Sequence, residues 1–162
     1  MTGNRNTRQP TLLNVAEKPS VARALASVFD RMPDSQSAPM RREAAQIFTH
    51  SNVLFPDVFS QGQNNNMAQQ RVRPHRMITT SVRGHLASVD FGKEYGWNKC
   101  SPDELFEAPI DVFYSDDMVP LQKMLINLSR NVDALVLWLD CDREGEAIGD
   151  EVLKVCVESN CR

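Results

Sequence analysis

The chain has 162 residues, close to one average domain and enough for a single core of moderate size. A hydrophobic fraction of 41% and a charged fraction of 24% exclude disordered and collagen-like chains. No apolar run approaches the ~20 residues that cross a bilayer and no secretory-type start is present, so a soluble, intracellular protein is expected. The net charge of −3 argues against a basic surface spread over the whole chain, and suits a cluster of acids around a divalent cation.

Residues 1–10 are polar and without periodicity, and a flexible leader is expected there. Thr11 to Ala16, TLLNVA, reads as a short buried strand, which Glu17, Lys18, Pro19 and Ser20 break while offering a helix start. From Val21 to Phe29 the apolar positions 21, 22, 25, 28 and 29 keep the helical period and leave Arg23 and Ser27 outward. Arg31 to Arg42, with two prolines, and residues 56–75, with the polar tract QGQNNNMAQQ, read as loops, the second as an insertion. Gln46 to Phe55 and Met77 to Asp90 carry strand-like Ile, Val, Phe and Thr patterns, with Gly84 and Gly92 as bends, so an inserted β-rich segment is expected.

Asp116 and Asp117 precede Pro120, and Leu121, Met124, Leu125 and Leu128 then mark one apolar helix face. Ala134 to Leu139, ALVLWL, is continuously apolar, as in a parallel strand covered on both faces, and Trp138 is expected in the core. The strand ends in Asp140, CDREGE follows, and Ile148, Val152 and Val155 recur at helical spacing. The cysteines, Cys100, Cys141, Cys156 and Cys161, form no C-x-x-C pair and read as thiols rather than metal ligands.

In open α/β sheets ligands sit beyond the carboxyl ends of the strands. Glu17 and Asp140 occupy such ends, and if their strands are neighbours Glu17 can meet Asp140 and Asp142 across 123 positions of sequence. Residues i and i+2 of an extended segment face one side, so Asp140 and Asp142 can converge, with Glu144 just past the bend. Gathered carboxylates repel unless a cation settles among them, and magnesium, which takes oxygen ligands and an incomplete protein cage, is the natural candidate. The plainer alternative is that Asp142 caps a helix whose first turn carries Glu144 and Glu146. Glu17 and Lys18 could likewise form an ordinary solvated ion pair.

Four segments, AEKPSVARALA at 16–26, TSVRGHLASVDF at 80–91, LFEAPI at 105–110 and LVLWLDCDREGEAIG at 135–149, closely resemble type IA DNA topoisomerases of the topoisomerase III kind, nearest to the eukaryotic alpha type. The first and last resemble the two signature segments of the Toprim domain. The resemblance implies a Toprim (Rossmann-like) α/β fold, a parallel sheet with helices on both faces, over residues 11–162. It also implies Mg2+ held by Asp140 and Asp142, with Glu144 assisting and Glu17 beside the scissile phosphate.

Glu17 would exchange a proton with the 3'-oxygen and Lys18 would stabilise phosphate charge. Arg143 and His85 are implied as DNA contacts. Ala147 departs from the asparagine that family members often carry there, and Tyr95 and Tyr114 match no nucleophile motif, so the nucleophilic tyrosine is expected beyond Arg162 and the domain is expected to be truncated at its C-terminal end.

The full family enzyme passes single DNA strands through a 5'-phosphotyrosine link, relaxing negative supercoils and resolving recombination intermediates. Family analogy adds a nuclear setting, a RecQ-type helicase and an OB-fold partner protein. Two other readings stay open on sequence: a Toprim nuclease or primase using the same acids, and a non-catalytic binding module whose acids serve only as caps.

Overall fold

The computed structural model describes residues 8–57 and 72–158. Strand β1 (Thr11–Ala16) leads through Glu17 and Lys18 into helix α1 (Pro19–Asp30), and strands β2 (Gln36–Arg42), β3 (Gln46–Pro56) and β4 (Val72–Ser81) follow. A satellite pair, β5 (Ser88–Phe91) and β6 (Ile110–Phe113), precedes α2 (Val119–Ser129), β7 (Ala134–Trp138) and α3 (Arg143–Glu158). The main sheet has the order β2-β3-β4-β1-β7. β4, β1 and β7 are parallel, as expected, whereas β2 and β3 extend the sheet antiparallel, which makes it mixed.

β1 is buried along its whole length because it lies between β4 and β7 with helices on both faces. Leu13 and Val15 point into a core shared with Leu121 and Leu125 of α2 and Ile148 and Val152 of α3. Leu12 points the other way, against Met77, Val53 and Phe29 of α1. Burying each such side chain contributes about 1.5–3 kcal/mol, so the two clusters fix the sheet between its helices. Asn14, the one polar side chain in the middle of β1, accepts a hydrogen bond from Trp138 Nε1 at 3.0 Å and donates towards the Ile78 carbonyl at 3.5 Å. That bond satisfies it in the core.

Several expectations need correction. Among the described residues β7 lies at the edge of the sheet, and although Leu135 and Leu137 pack on one core cluster and Ala134 and Val136 on the other, its residues, Trp138 included, are only half-buried. Val28 is 43% exposed, because α1 turns Ala22, Ala26 and Phe29 inward instead. The loop expected over residues 31–42 contains β2, an exposed edge strand with no apolar alternation to reveal it. Its Pro39 falls in the register shift between Ala38 and Arg41, where a missing N–H is tolerated.

Of the insertion expected at 56–75, residues 58–71 lie outside the described residues, while Pro56 pairs with Val72 and Leu54 with Pro74. Pro74 fits because β1 joins β4 only from Arg76 onward, so among the described residues no strand pairs with that flank of β4. Of the expected leader, residues 1–7 lie outside the described residues; Arg8 is ion-paired to Asp133 at 2.7 Å and the Pro10 carbonyl accepts from Arg76 N at 2.8 Å. No helix among the described residues is long and apolar enough to cross a membrane.

Candidate active site

The parallel pairing of β1 with β7, in which Ala16 faces Trp138, brings the carboxyl ends of the two strands side by side. Glu17 N donates to the Trp138 carbonyl at 3.1 Å, which carries the ladder one residue past the strand. Glu17 Oε2 in turn accepts from Asp140 N at 3.1 Å. The Glu17 side chain is buried, so these bonds hold it to the sheet. Lys18 then continues in extended conformation and Pro19 opens α1, where a residue without an N–H leaves no donor unsatisfied.

Lys18 Nζ lies 3.0 Å from Glu17 Oε1 and 2.9 Å from Asp140 Oδ2. Asp140 and Glu17 together raise the Lys18 pKa well above the ordinary lysine range. A single ammonium thus sits between two carboxylates, in the position a cation would take to relieve their repulsion. Because both the Lys18 and Asp140 side chains are more than half exposed, this pairing is worth little in stability and is readily exchanged for another charge.

Asp142 does something different. Regular strand ends at Trp138 and residues 141–142 bend, so the alternation of an extended segment does not govern where the Asp142 side chain points. Its Oδ1 accepts from Gly145 N at 2.8 Å and its carbonyl accepts from Glu146 N at 3.1 Å, which makes it the N-cap of α3. Its other carboxylate oxygen takes no part in the cap. Glu144 and Glu146 occupy the exposed first turn, where the helix dipole favours negative charge. Among the described residues no three His, Cys, Asp or Glu side chains gather closely enough to enclose a metal ion.

Gly145 is a site residue that motif reading passed over. A Cβ there would overlap the backbone carbonyl oxygen of Asp140, so only glycine lets the first turn of α3 pack on the acid's main chain. A small residue inside a helix start was the only sequence sign of it.

His85 lies on the same rim, in the segment that leaves β4: Val82 N donates to the Ala16 carbonyl at 2.9 Å, and Gly84 turns the chain at φ +89°. His85 Nδ1 meets Glu151 Oε1 at 2.8 Å, and Glu151 Oε2 accepts from Leu86 N at 2.7 Å and from Ala87 N at 3.3 Å. Glu151, on the third turn of α3, therefore anchors the whole segment, and no motif in the sequence announces that pairing across 66 positions. Arg143 is exposed at the first position of α3 and makes no ion pair among the described residues. Tyr114 packs against the larger core cluster.

The Toprim domain profile matches residues 13–162. The chain belongs to the Toprim family. The Toprim chain is 40% identical over 148 residues to DNA topoisomerase 3-alpha of Arabidopsis thaliana, covering 90% of this chain and 14% of that protein. It is 37% identical over 146 residues to DNA topoisomerase 3 of Dictyostelium discoideum, covering 90% of this chain and 16% of the relative. Against DNA topoisomerase 3-alpha of Homo sapiens the figures are 36% over 146 residues, 90% and 13%. The Toprim chain thus spans well under a quarter of each of these relatives.

Proposed function

We propose that this chain is the acid-bearing catalytic module of a DNA topoisomerase of the topoisomerase 3 kind, acting on single-stranded segments of DNA. The observation that carries the reading is the Lys18 ammonium held between Glu17 and Asp140 at the shared rim of two parallel strands. A weak, exposed ion pair beside a buried carboxylate suits a site that exchanges partners when a phosphodiester arrives. Lys18 would turn to a phosphate oxygen and offset the charge that gathers there in the transition state. Glu17, fixed by the Asp140 amide, would deliver a proton to the departing 3'-oxygen as the phosphorus–oxygen bond breaks, and take it back when the strand is resealed.

The donor set fits magnesium, which needs only one or two carboxylates beside waters and a substrate phosphate. Asp140, once released by Lys18, and the oxygen of Asp142 outside the cap would hold it, with Glu144 and Glu17 adjoining. Bound there, magnesium supplies charge neutralisation at the phosphate. The tyrosine nucleophile, the relaxation of negative supercoils, the resolution of recombination intermediates, the nuclear setting and the helicase and OB-fold partners belong to the same proposal, on the strength of the family alone.

Calorimetric titration of magnesium with a single-stranded oligonucleotide present tests it. An Asp140→Asn, Asp142→Asn double variant keeps the helix cap, since asparagine caps as well as aspartate. The expected result is metal binding in the wild type and its loss in the variant; equal binding in both defeats the assignment.

A further inference from the structure

A second feature lies on the same rim, over β3 and β4 rather than over β1 and β7. A cavity of about 270 Å³ is lined by Arg23, Arg42 and Arg83, with Pro19, Gln46 and Ser81 among its walls. Pro19 directly follows Lys18, Ser81 closes β4 opposite Ala16, and Gln46 opens β3, so the cavity adjoins the acid site along one edge of the sheet.

Three separate segments supply the arginines: the first turns of α1, the end of β2 and the segment after β4. Arg23 Nη1 donates to Gln46 Oε1 at 3.2 Å and Arg83 Nη2 donates to the Ala44 carbonyl at 3.3 Å. Both acceptors are neutral, so they orient the guanidinium groups without cancelling their charge. Among the described residues Arg23, Arg42 and Arg83 form no ion pair. The one carboxylate in the lining, Glu43, is paired to Arg41 at 3.7 Å. A chain with net charge −3 therefore sets three arginines against one glutamate around a single cavity. A guanidinium group can donate two parallel bonds to an oxyanion, so arginines gathered around one cavity favour a phosphate there.

We infer that this arginine-lined cavity is a subsite for a backbone phosphodiester of the same DNA strand, on the Lys18 side of the reacting phosphate. The inference rests on the functional reading above. Lys18, neutralised by its two acids, serves the reacting phosphate, while the arginines hold a neighbouring one and set the strand's register over Glu17. Such contacts position the strand and carry no base information.

Fluorescence anisotropy of a labelled oligothymidylate, measured without magnesium across a series of low sodium chloride concentrations, tests the subsite. Each phosphate contact on a single strand contributes about 0.7 to the slope of log K against log salt. The Arg23→Gln, Arg83→Gln variant is expected to bind more weakly with a slope reduced by about 0.7, the share of the one phosphate held there. Arg130→Gln, at the opposite end of the sheet after α2, is expected to leave the slope unchanged. All three arginines are exposed, and an unaltered melting curve confirms folding.

A wild type that binds with a slope equal to that of the double variant overturns the subsite and leaves the functional reading standing. A wild type that binds no oligothymidylate even at the lowest salt overturns both. Inorganic phosphate that binds the wild type and not the double variant, while oligothymidylate binds both with equal slopes, overturns the strand assignment in favour of a free-anion site.

Discussion

A methyl group added at Gly145 enters space held by the Asp140 carbonyl oxygen, with the Asp140 carbonyl carbon 3.1 Å and its nitrogen 3.3 Å away. In an open helix the Gly→Ala change stabilises by about 1 kcal/mol. Overpacking costs about 1–3 kcal/mol, and the upper end applies because main chain, not the free end of a side chain, has to move. The net expectation for Gly145→Ala is a loss of about 2 kcal/mol, or a melting temperature lower by roughly 4–8 °C for a domain of this size.

Gly149→Ala supplies the comparison on the same helix. Its Cβ would meet Leu139 Cδ1 at 3.0 Å and Leu137 Cδ1 at 3.5 Å, both methyls of side chains able to give way. That variant is expected to melt at or above the wild-type temperature. Thermal unfolding followed by circular dichroism measures both, and the nitrogen-15 shift of the Asp140 amide reports whether the acid has moved. If Gly145→Ala melts as high as Gly149→Ala and leaves the Asp140 amide unshifted, the packing of α3 against the acid is misread.

Glu151→Ala removes the acceptor for the Leu86 and Ala87 amides and the partner of His85, and bonds to a charged acceptor are worth about 1.5–3 kcal/mol. Urea unfolding should show that loss, and amide exchange at residues 85–87 should quicken; unchanged exchange would refute the anchor. His75 is fully buried, and burial is the main cause that lowers its pKa below the ordinary histidine value.

The unfolded chain therefore takes up a proton near pH ~6.5 that the folded chain refuses. Stability is full above that pH and falls as the pH drops from there through the lowered folded value; His75→Phe should flatten this part of the stability profile measured by urea unfolding. Burial pushes the Cys156 thiol up to about 11, whereas Cys141 is exposed. Iodoacetamide at neutral pH followed by peptide mass spectrometry should find Cys141 labelled in the native protein and Cys156 only after denaturation.

The parts of the fold legible in the sequence were those with a buried face. β1 showed as an apolar run, α2 through Leu121, Met124 and Leu125, and α3 through Ile148, Val152 and Val155, because burial at a fixed period leaves a pattern. The placement of Glu17 and Asp140 on adjacent strand ends followed from the same logic. β2 was hidden because an exposed edge strand buries nothing, and its proline looked like a breaker. β7 misled in the opposite direction: an apolar composition states what a strand can bury, not how many neighbours it has among these residues.

Within the site, the cap formed by Asp142 obeyed a local rule and could be anticipated as an alternative. The arginine cavity could not, since Arg23, Arg42 and Arg83 are distant in sequence and the overall negative charge conceals them. Glu151 was equally silent, a glutamate on an amphipathic helix like any other until the segment after β4 folds over it.

The bond from the Asp140 amide to the Glu17 carboxylate turns the spacing of two acids into a property of strand register. Paired acids on separate loops would drift with every fluctuation of the surface. Here, any sliding of β7 along β1 would break the bond and strip both cores at once, so the sheet acts as a caliper. Lys18, exposed at the rim, can change partners while the buried Glu17 carboxylate keeps its place against the Asp140 main chain.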